Sequence, residues 1–476
     1  MTWTTYARAS VPVPDEVDDV ELRCVEGAVP RGLRGALFRN GPGTNTSLGV
    51  PYHHPFDGDG HVVRFAFEGG RVRYRNRFVR TRERARELAA GRPLYRSFGT
   101  NLPGGLPANL LRLRFKNAAN TSVVHHGGKL LALWEGGLPH RLDPRTLDTL
   151  GREDFGGRLR NPGSPVERLL APELPFSAHP KLDPETGELF NFGTLLGPSP
   201  RLALYRAGAD GELDAPSFVA LDRLVFLHDF ALTARHRVFF LVPVAFRVGA
   251  TLLGRLPPAE ALEALEGRPT SILVVPRGGG PSITLEADPC FLFHFACAHE
   301  DEAGRVVVVG MRMPRFPSAR ETRAALAGEG GAAFPSAIPT RYVLDLEERT
   351  VREERLTEHP AELPTIAPRA SLREPARAIW SIAGEPGSPD PFLRCVQRLE
   401  LPSGRTTARS FHPDLPGEPV LLPDAETGGV LATLVYRAAE HRAELVLLDP
   451  ERLDTVARLA LPHHVPPGFH GTWVAA

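Results

Sequence analysis

Ser177-Ala178-His179-Pro180-Lys181-Leu182-Asp183-Pro184-Glu185-Thr186-Gly187 runs directly into Glu188-Leu189-Phe190-Asn191-Phe192. The stretch joins one short strand to another through a tight turn. Asp and Pro at the turn start favour a type I geometry, and Gly supplies a positive φ. The unit recurs. Leu142-Asp143-Pro144-Arg145-Thr146 follows the apolar run Lys129–Trp134, and Leu448-Asp449-Pro450 follows Ala443–Leu447. Looser copies are Phe67–Arg71, Leu346–Thr350 and Leu401–Arg405. Val238–Val244, Ser271–Val275 and Arg305–Gly310 are further strand candidates, because β-branched and aromatic residues suit a pleated surface. Helical periodicity is confined to Thr81–Ala90 and Pro257–Leu265, with a short turn at Glu321–Ala327, and Pro314–Pro339 reads as a long loop. Many short strands with a recurring hairpin unit predict an all-β fold, and their spread along the chain favours a propeller over a sandwich or barrel.

Composition sets outer bounds. The chain has 476 residues, 42% hydrophobic and 24% charged, which is globular material with enough for a core. A prior of roughly 150 residues per domain suggests three domains, but a closed repeat forms one domain at any length. Lys+Arg and Asp+Glu are equal at 56 each, so charge gives no argument for nucleic acid as a partner. Cys24, Cys290, Cys297 and Cys395 form no C-x-x-C pair and no disulfide framework, which fits a reducing compartment. Neither a signal peptide nor an apolar run of about 18 residues is visible. The expected location is cytoplasmic, with a peripheral contact at the inner membrane surface, and no obligate protein partner is evident.

Four of the 17 histidines stand in unusual local contexts: Ser177-Ala-His179-Pro-Lys, Leu227-His228-Asp-Phe-Ala, Phe293-His294-Phe-Ala-Cys297 and Gly468-Phe-His470-Gly-Thr-Trp473. They lie 49, 66 and 176 residues apart, too far for a local motif such as H-E-x-x-H. Dispersed ligands need a fold that brings distant segments to one axis. A blade repeat of roughly 40 to 60 residues would place them one, one and three blades apart. Imidazole suits iron, copper, zinc and nickel alike, so the ligand type does not name the metal. A ligating His needs its second nitrogen held by an acceptor. Glu135, Glu362 and Glu418 have suitable neighbourhoods, although each taken alone reads as a solvated surface residue.

With these motifs in place, the chain resembles the carotenoid cleavage oxygenases. Phe38-Arg-Asn-Gly-Pro42, Phe56-Asp-Gly-Asp-Gly-His61, Tyr74–Thr81, Asn120-Thr-Ser-Val-Val124 and Trp134-Glu-Gly-Gly-Leu-Pro139 carry the likeness together with the four His motifs, from about Gly35 to the C-terminus. The resemblance implies a seven-bladed β-propeller with a loop and helix dome over its top face. It implies one domain over 1–476 with 1–34 as a lead-in. It implies one Fe2+ on His179, His228, His294 and His470, with Glu135, Glu362 and Glu418 each bonding one of these ligands and the fourth ligand lacking a carboxylate. One departure is the third motif, usually His-x-x-Asn-x-aromatic-Glu, which here reads His294-Phe-Ala-Cys297-Ala-His299-Glu300. Cys297 and His299 are read as structural, His299 falling on the opposite strand face from the ligand if the run stays extended.

The implied activity is that of a non-heme iron dioxygenase. It splits a C=C bond of a carotenoid or apocarotenoid with O2 as co-substrate and yields two carbonyl products. No catalytic residue beyond the metal centre is implied. Stilbene cleavage is the near alternative; that branch typically carries Lys before the first Glu, where this chain has Trp134. A retinoid-type isomerase and a non-catalytic, metal-stabilised lipid-binding propeller are further alternatives. A long lipophilic substrate needs an apolar tunnel, for which Trp134, Leu102, Leu106, Leu110 and Phe246 are candidates. The segments Asn101–Leu111 and Phe246–Arg255, apolar and flanked by Arg, are also candidate membrane-surface contacts.

Overall fold

The computed structural model describes every residue except 1, 113, 196–198, 320, 323–334, 386–391 and 425–427. Its strands build a seven-bladed β-propeller of antiparallel sheets. The innermost strands, in blade order, are Gly471–Ala475, Ser122–His126, Lys181–Leu182, Ala231–Leu232, Phe291–Glu300, Ala361–Thr365 and the broken pair Leu415–Pro416 and Val420–Leu422. Several of these first strands touch their counterparts in the next blade, so together they line the axis.

Each expected hairpin forms. In blade 3, Lys181–Leu182 pairs with Leu189–Leu195, and the Asp183 carboxylate accepts the N–H groups of Glu185 and Thr186 at 2.9 and 3.4 Å. Asp143 and Asp449 cap their own turns in the same way. Only the first of the three turns places glycine in the left-handed region, at Gly187 (φ 71°); the equivalent places hold Leu147 (φ 64°) and Leu453 (φ 62°). A left-handed leucine costs about 1–2 kcal/mol. Both leucines are about 1% exposed and packed in hydrophobic clusters, which offsets that strain.

The core is not one mass but a layer at each interface between blades. Period-2 alternation produces it. Leu130 and Ala132 face blade 1 with Phe38 and Val62, whereas Leu131 and Leu133 face blade 3 with Ala203 and Tyr205. The ring closes at both termini. C-terminal Gly471–Ala475 pairs with Gly35–Pro42 inside blade 1. The 1–34 lead-in adds Val20–Glu21 to the outer edge of blade 1 and Arg23–Gly27 to that of blade 7.

The dome is built from connections at one end of the blades. Helix Arg82–Ala90 has Thr81 as its cap, accepting Arg84 N–H, and Gly91 as its left-handed end. Pro257–Leu265 is not a helix. It is a 3-10 turn, Pro258–Ala261, followed by a strand, Leu262–Ala264, that pairs with Val244–Phe246, so tertiary pairing overrides the local periodicity. The turn expected at Glu321–Ala327, from residue 323 onward, and much of the loop Pro314–Pro339 fall outside the described residues. Arg96 is fully buried and stitches the two apolar dome segments together. It donates to the carbonyls of Thr251 (2.7 Å), Leu256 (2.8 Å) and Arg112 (3.3 Å). Among the described residues, no helix is long and apolar enough to cross a membrane.

Buried histidines give the fold a pH dependence. Burial pushes His54 and His61 down to about 3 and His140 to about 4. The unfolded chain titrates these groups near 6.5 and so binds more protons below that pH. Their contribution to stability is complete above the unfolded value and is lost as pH falls towards the folded ones. Asp57, pushed up to about 6 by burial, works in the opposite sense: its contribution is complete below about 4 and lost as pH rises through about 6. Three groups outweigh one. The Tm of metal-free protein, followed by circular dichroism, is expected to drop by several degrees between about pH 7 and pH 5; a flat profile would contradict the burial of these imidazoles.

Candidate metal centre

Each of the four histidines sits on, or just before, an innermost strand. His179 precedes Lys181–Leu182, His228 precedes Ala231–Leu232, His294 lies within Phe291–Glu300, and His470 precedes Gly471–Ala475. Those strands belong to blades 3, 4, 5 and 1, the one, one and three spacing expected from the sequence. One donor atom from each ring falls within 4.8 Å of the other three. Glu362 lies on the innermost strand of blade 6, Glu418 between the two inner pieces of blade 7, and Glu135 just past strand Lys129–Leu133 of blade 2. Every blade therefore supplies one group, four imidazoles and three carboxylates.

The carboxylates hold the outer nitrogens. His228 Nδ1 lies 2.9 Å from Glu135 Oε1, His294 Nδ1 2.5 Å from Glu362 Oε2 and His470 Nδ1 2.7 Å from Glu418 Oε1. His179 is the ligand candidate without a carboxylate among these three. When Nδ1 carries the proton given to Glu, Nε2 presents a lone pair. Yet His294 Nε2 and His470 Nε2 face each other at 3.2 Å, and His179 Nε2 and His228 Nε2 at 2.9 Å. At the His294–His470 pair, where both Nδ1 protons go to glutamates, two lone pairs at that distance repel. A shared cation in their midst removes the conflict, so the donor set fits a metal ion.

The electrostatics agree at four of these groups. Burial pushes His179 well below the ordinary histidine value; it also pushes His470 down against the pull of Glu418. At His294 burial acts in the same direction, but Glu362 outweighs it and the net shift is upward. Burial would raise Glu135 and Glu418, but their histidine partners prevail and both lie below the usual carboxylate value. At His179 and His470 these shifts favour the neutral imidazole, and at Glu135 and Glu418 the ionised carboxylate, that a metal site requires, whereas the upward shift at His294 is one that a bound cation would have to overcome.

Three residues with a part here were not assigned one from the sequence. Thr121 Oγ1 donates to Glu135 Oε2 at 3.3 Å, and its carbonyl accepts His470 N–H at 3.3 Å. Arg39 Nη1 lies 3.2 Å from Glu418 Oε2 with both side chains buried, so this carboxylate carries a permanent counter-ion. Gly471 N–H also donates to Glu418 Oε2, at 2.9 Å. Arg39 and Thr121 stand in motifs that carry the family likeness, which was the available signal.

The tunnel candidates divide. Trp134 adjoins Glu135, and its ring folds so closely over Gly136 that a Cβ there would come within 2.6 Å of it. Leu102 is buried, and Phe246 is half-buried on the dome strand Val244–Phe246. Leu106 and Leu110 do not line an interior: they are 52% and 50% exposed. The reason is Asn109, which turns inward to bond both backbone groups of Leu102 and leaves the leucines of this short helix facing outward. Cys297 packs in the layer between blades 5 and 6, and burial pushes its thiol up to about 12. The ladder of Phe291–Glu300 slips twice, between Leu292 and Phe295 and between Phe295 and Cys297. The run is therefore bulged rather than uniformly extended, and simple alternation does not place His299. Neither Cys297 nor His299 joins the four-histidine cluster.

A model of the retinal pigment epithelial membrane protein family matches residues 10–475. The chain belongs to this family of carotenoid oxygenases. Apocarotenoid-15,15'-oxygenase of Synechocystis sp. is 34% identical over 470 residues, covering 96% of this chain and 93% of that protein. Isoeugenol monooxygenase of Pseudomonas nitroreducens is 28% identical, with 98% and 96% covered. Resveratrol cleavage oxygenase 1 of Aspergillus fumigatus is 26% identical, with 96% and 92% covered. The crystal structure of cobalt-substituted Synechocystis ACO superposes with a TM-score of 0.91 at 33% identity, over 100% of this chain and 99% of that one. For the present carotenoid oxygenase family member, Glu135→Gln is expected to weaken metal binding roughly 10–100-fold while the fold persists. Metal titration read against far-UV circular dichroism checks this, and an unchanged affinity would remove Glu135 from the site.

Proposed function

We propose that this protein is a non-heme iron(II) dioxygenase that cleaves one C=C bond of an apocarotenoid into two carbonyl fragments. The observation that carries the proposal is the cage of four imidazoles, three of them held by carboxylates. His179, His228, His294 and His470 would hold the metal, and bound iron(II) would supply activation of O2. The reaction balances without a reductant: O=O and C=C break, and two C=O bonds form. The chain's own work is then to hold four nitrogens in place, to present the alkene and to keep water out. Glu135, Glu362 and Glu418 fix ring orientation and keep the Nε2 lone pairs turned inward. Arg96 ties the two apolar dome segments together, through Asn101 Oδ1 on one side and the Thr251 carbonyl on the other.

The substrate class is read from the residue that precedes Glu135. Trp134 precedes Glu135, so a polyene meets an aromatic wall there rather than an ammonium, and a buried unpaired Lys would be costly beside a hydrocarbon. Leu106, Leu110, Leu111, Val248 and Leu253 are all at least 40% exposed on the joined dome segments. An apolar patch of this kind suits contact with a lipid surface from which a lipophilic substrate is drawn. Leu106→Glu with Leu111→Glu is expected to abolish co-flotation with phospholipid vesicles while the Tm stays within a few degrees; equal flotation would rule out this patch.

Iron-loaded protein offered a retinal-length apocarotenal, resveratrol and isoeugenol in parallel, with products identified by mass, tests the substrate class. Two aldehydes from the apocarotenal with the phenols untouched is the expected result. Cleavage confined to the phenols would replace the apocarotenoid reading with stilbene-type chemistry.

A further inference from the structure

We propose that Asp229, with Lys181 as its counter-ion, is a positioning residue that sets the spacing of His179, His228 and His294. The proposal rests on the metal-centre reading above. Asp229 follows His228 and is 3% exposed. Its Oδ1 accepts Phe230 N–H at 2.7 Å and its Oδ2 accepts Phe295 N–H at 2.9 Å. Lys181 Nζ lies 2.8 Å from Oδ1 and 3.0 Å from Oδ2. Phe295 follows His294, and Lys181 stands two residues after His179. One carboxylate thus joins the innermost strands of blades 3, 4 and 5 at points one or two residues from three of the four imidazoles.

The geometry explains why such a joint is needed. An innermost strand has no strand partner on its axial edge, so some of its backbone N–H groups lack a ladder acceptor. Phe295 is also where the ladder to Val306–Met313 slips on either side. A bulge re-aims a side chain at the cost of local pairing, and here the re-aimed residue is His294. Asp229 takes the Phe295 N–H and pins the bulge to the neighbouring blade.

His179 gains in a second way. It has none of the three glutamates to hold its outer nitrogen. Its position depends on its strand, which Ser177 ties to the His228 carbonyl through Oγ at 3.3 Å and Lys181 ties to Asp229. The clamp does for His179, through the backbone, part of what a glutamate does for the other three. Asp229 itself is not free to ligate, since three donors already occupy its oxygens.

The test uses full-length protein loaded with cobalt(II), read by its ligand-field absorption, by the rate of metal release to a chelator and by Tm. Asp229→Ala is expected to shift the absorption bands and to speed release roughly 10–100-fold, the range seen when partners of metal ligands are lost. Asp229→Asn and Lys181→Met are expected to shift the bands in the same direction with smaller gains in release rate, and they carry the test if Asp229→Ala does not fold. Arg277→Met breaks the partly buried Arg277–Asp183 bridge (2.7 Å) in blades 3 and 4 and serves as the structural control, lowering Tm with no change in bands or release. Bands and release rates of Asp229→Asn and Lys181→Met matching wild type, with or without a lower Tm, would overturn the clamp. Failure of wild type to take up one cobalt would instead overturn the metal-centre reading beneath it.

Discussion

His228→Ala is expected to yield a folded propeller that retains no metal through desalting and cleaves no alkene. His228 is central to the cage: its Nε2 faces His179 Nε2 at 2.9 Å and its Nδ1 is held by Glu135 at 2.9 Å. Removing it deletes one donor outright and strands the Glu135 carboxylate. Against burial, His228 contributes most to holding that carboxylate below its usual value; without the imidazole, burial pushes it upward against less opposition. The metal is left with three of its four imidazole donors. The expected loss of metal affinity exceeds the roughly 100-fold upper range for outer-partner changes. The fold survives because the layers between blades, not the axis, hold it together. Elemental analysis with circular dichroism checks both halves of the expectation. Full metal content in the variant would remove His228 from the ligand set.

Glu418→Gln is expected to be the most damaging of the three glutamate substitutions. Each removes a carboxylate from a histidine Nδ1, but only at Glu418 does a salt-bridged guanidinium depend on the same group. Arg39 is 4% exposed, and its other bonds go to the carbonyls of Glu418 and Phe469. Breaking a buried pair by removing one partner costs about 3–5 kcal/mol because the other charge is left uncompensated. Glu135 by contrast keeps 31% of its side chain accessible and has only Thr121 and His228 as side-chain partners. Glu418→Gln should therefore lose metal affinity as Glu135→Gln does and also unfold at a clearly lower temperature even without metal. Equal Tm values for the two metal-free variants would contradict the role given to Arg39.

Local chemistry was the legible part of this chain. The Asp-Pro turns at Asp143, Asp183 and Asp449 announced their hairpins because an Asx cap needs only neighbours in sequence. The four histidines stood out by context, and blade spacing placed them one, one and three apart. What was not legible depends on distant partners. Arg23–Gly27 is exposed throughout and shows no buried face, so nothing in it betrays an edge strand completing blade 7. Pro257–Leu265 carried a helix-like pattern until pairing with Val244–Phe246 fixed it as a strand. Leu106 and Leu110 looked like tunnel residues, but the inward turn of Asn109 reversed their direction. Arg39 and Glu418, 379 residues apart, become partners only once the ring has closed. Asp229 and Lys181 lay inside quoted motifs, yet their roles arise from bonds across blades.

The most direct test of the central claim is a single turnover of anaerobically reconstituted protein with 18O2 and a retinal-length apocarotenal, with iron counted on the same sample. The account predicts one iron(II) per chain, lost in His228→Ala, and two aldehydes that each carry one 18O when trapped before exchange with water. Protein that holds one iron per chain yet returns every tested alkene intact, or that cleaves as well after its iron is stripped, would contradict it.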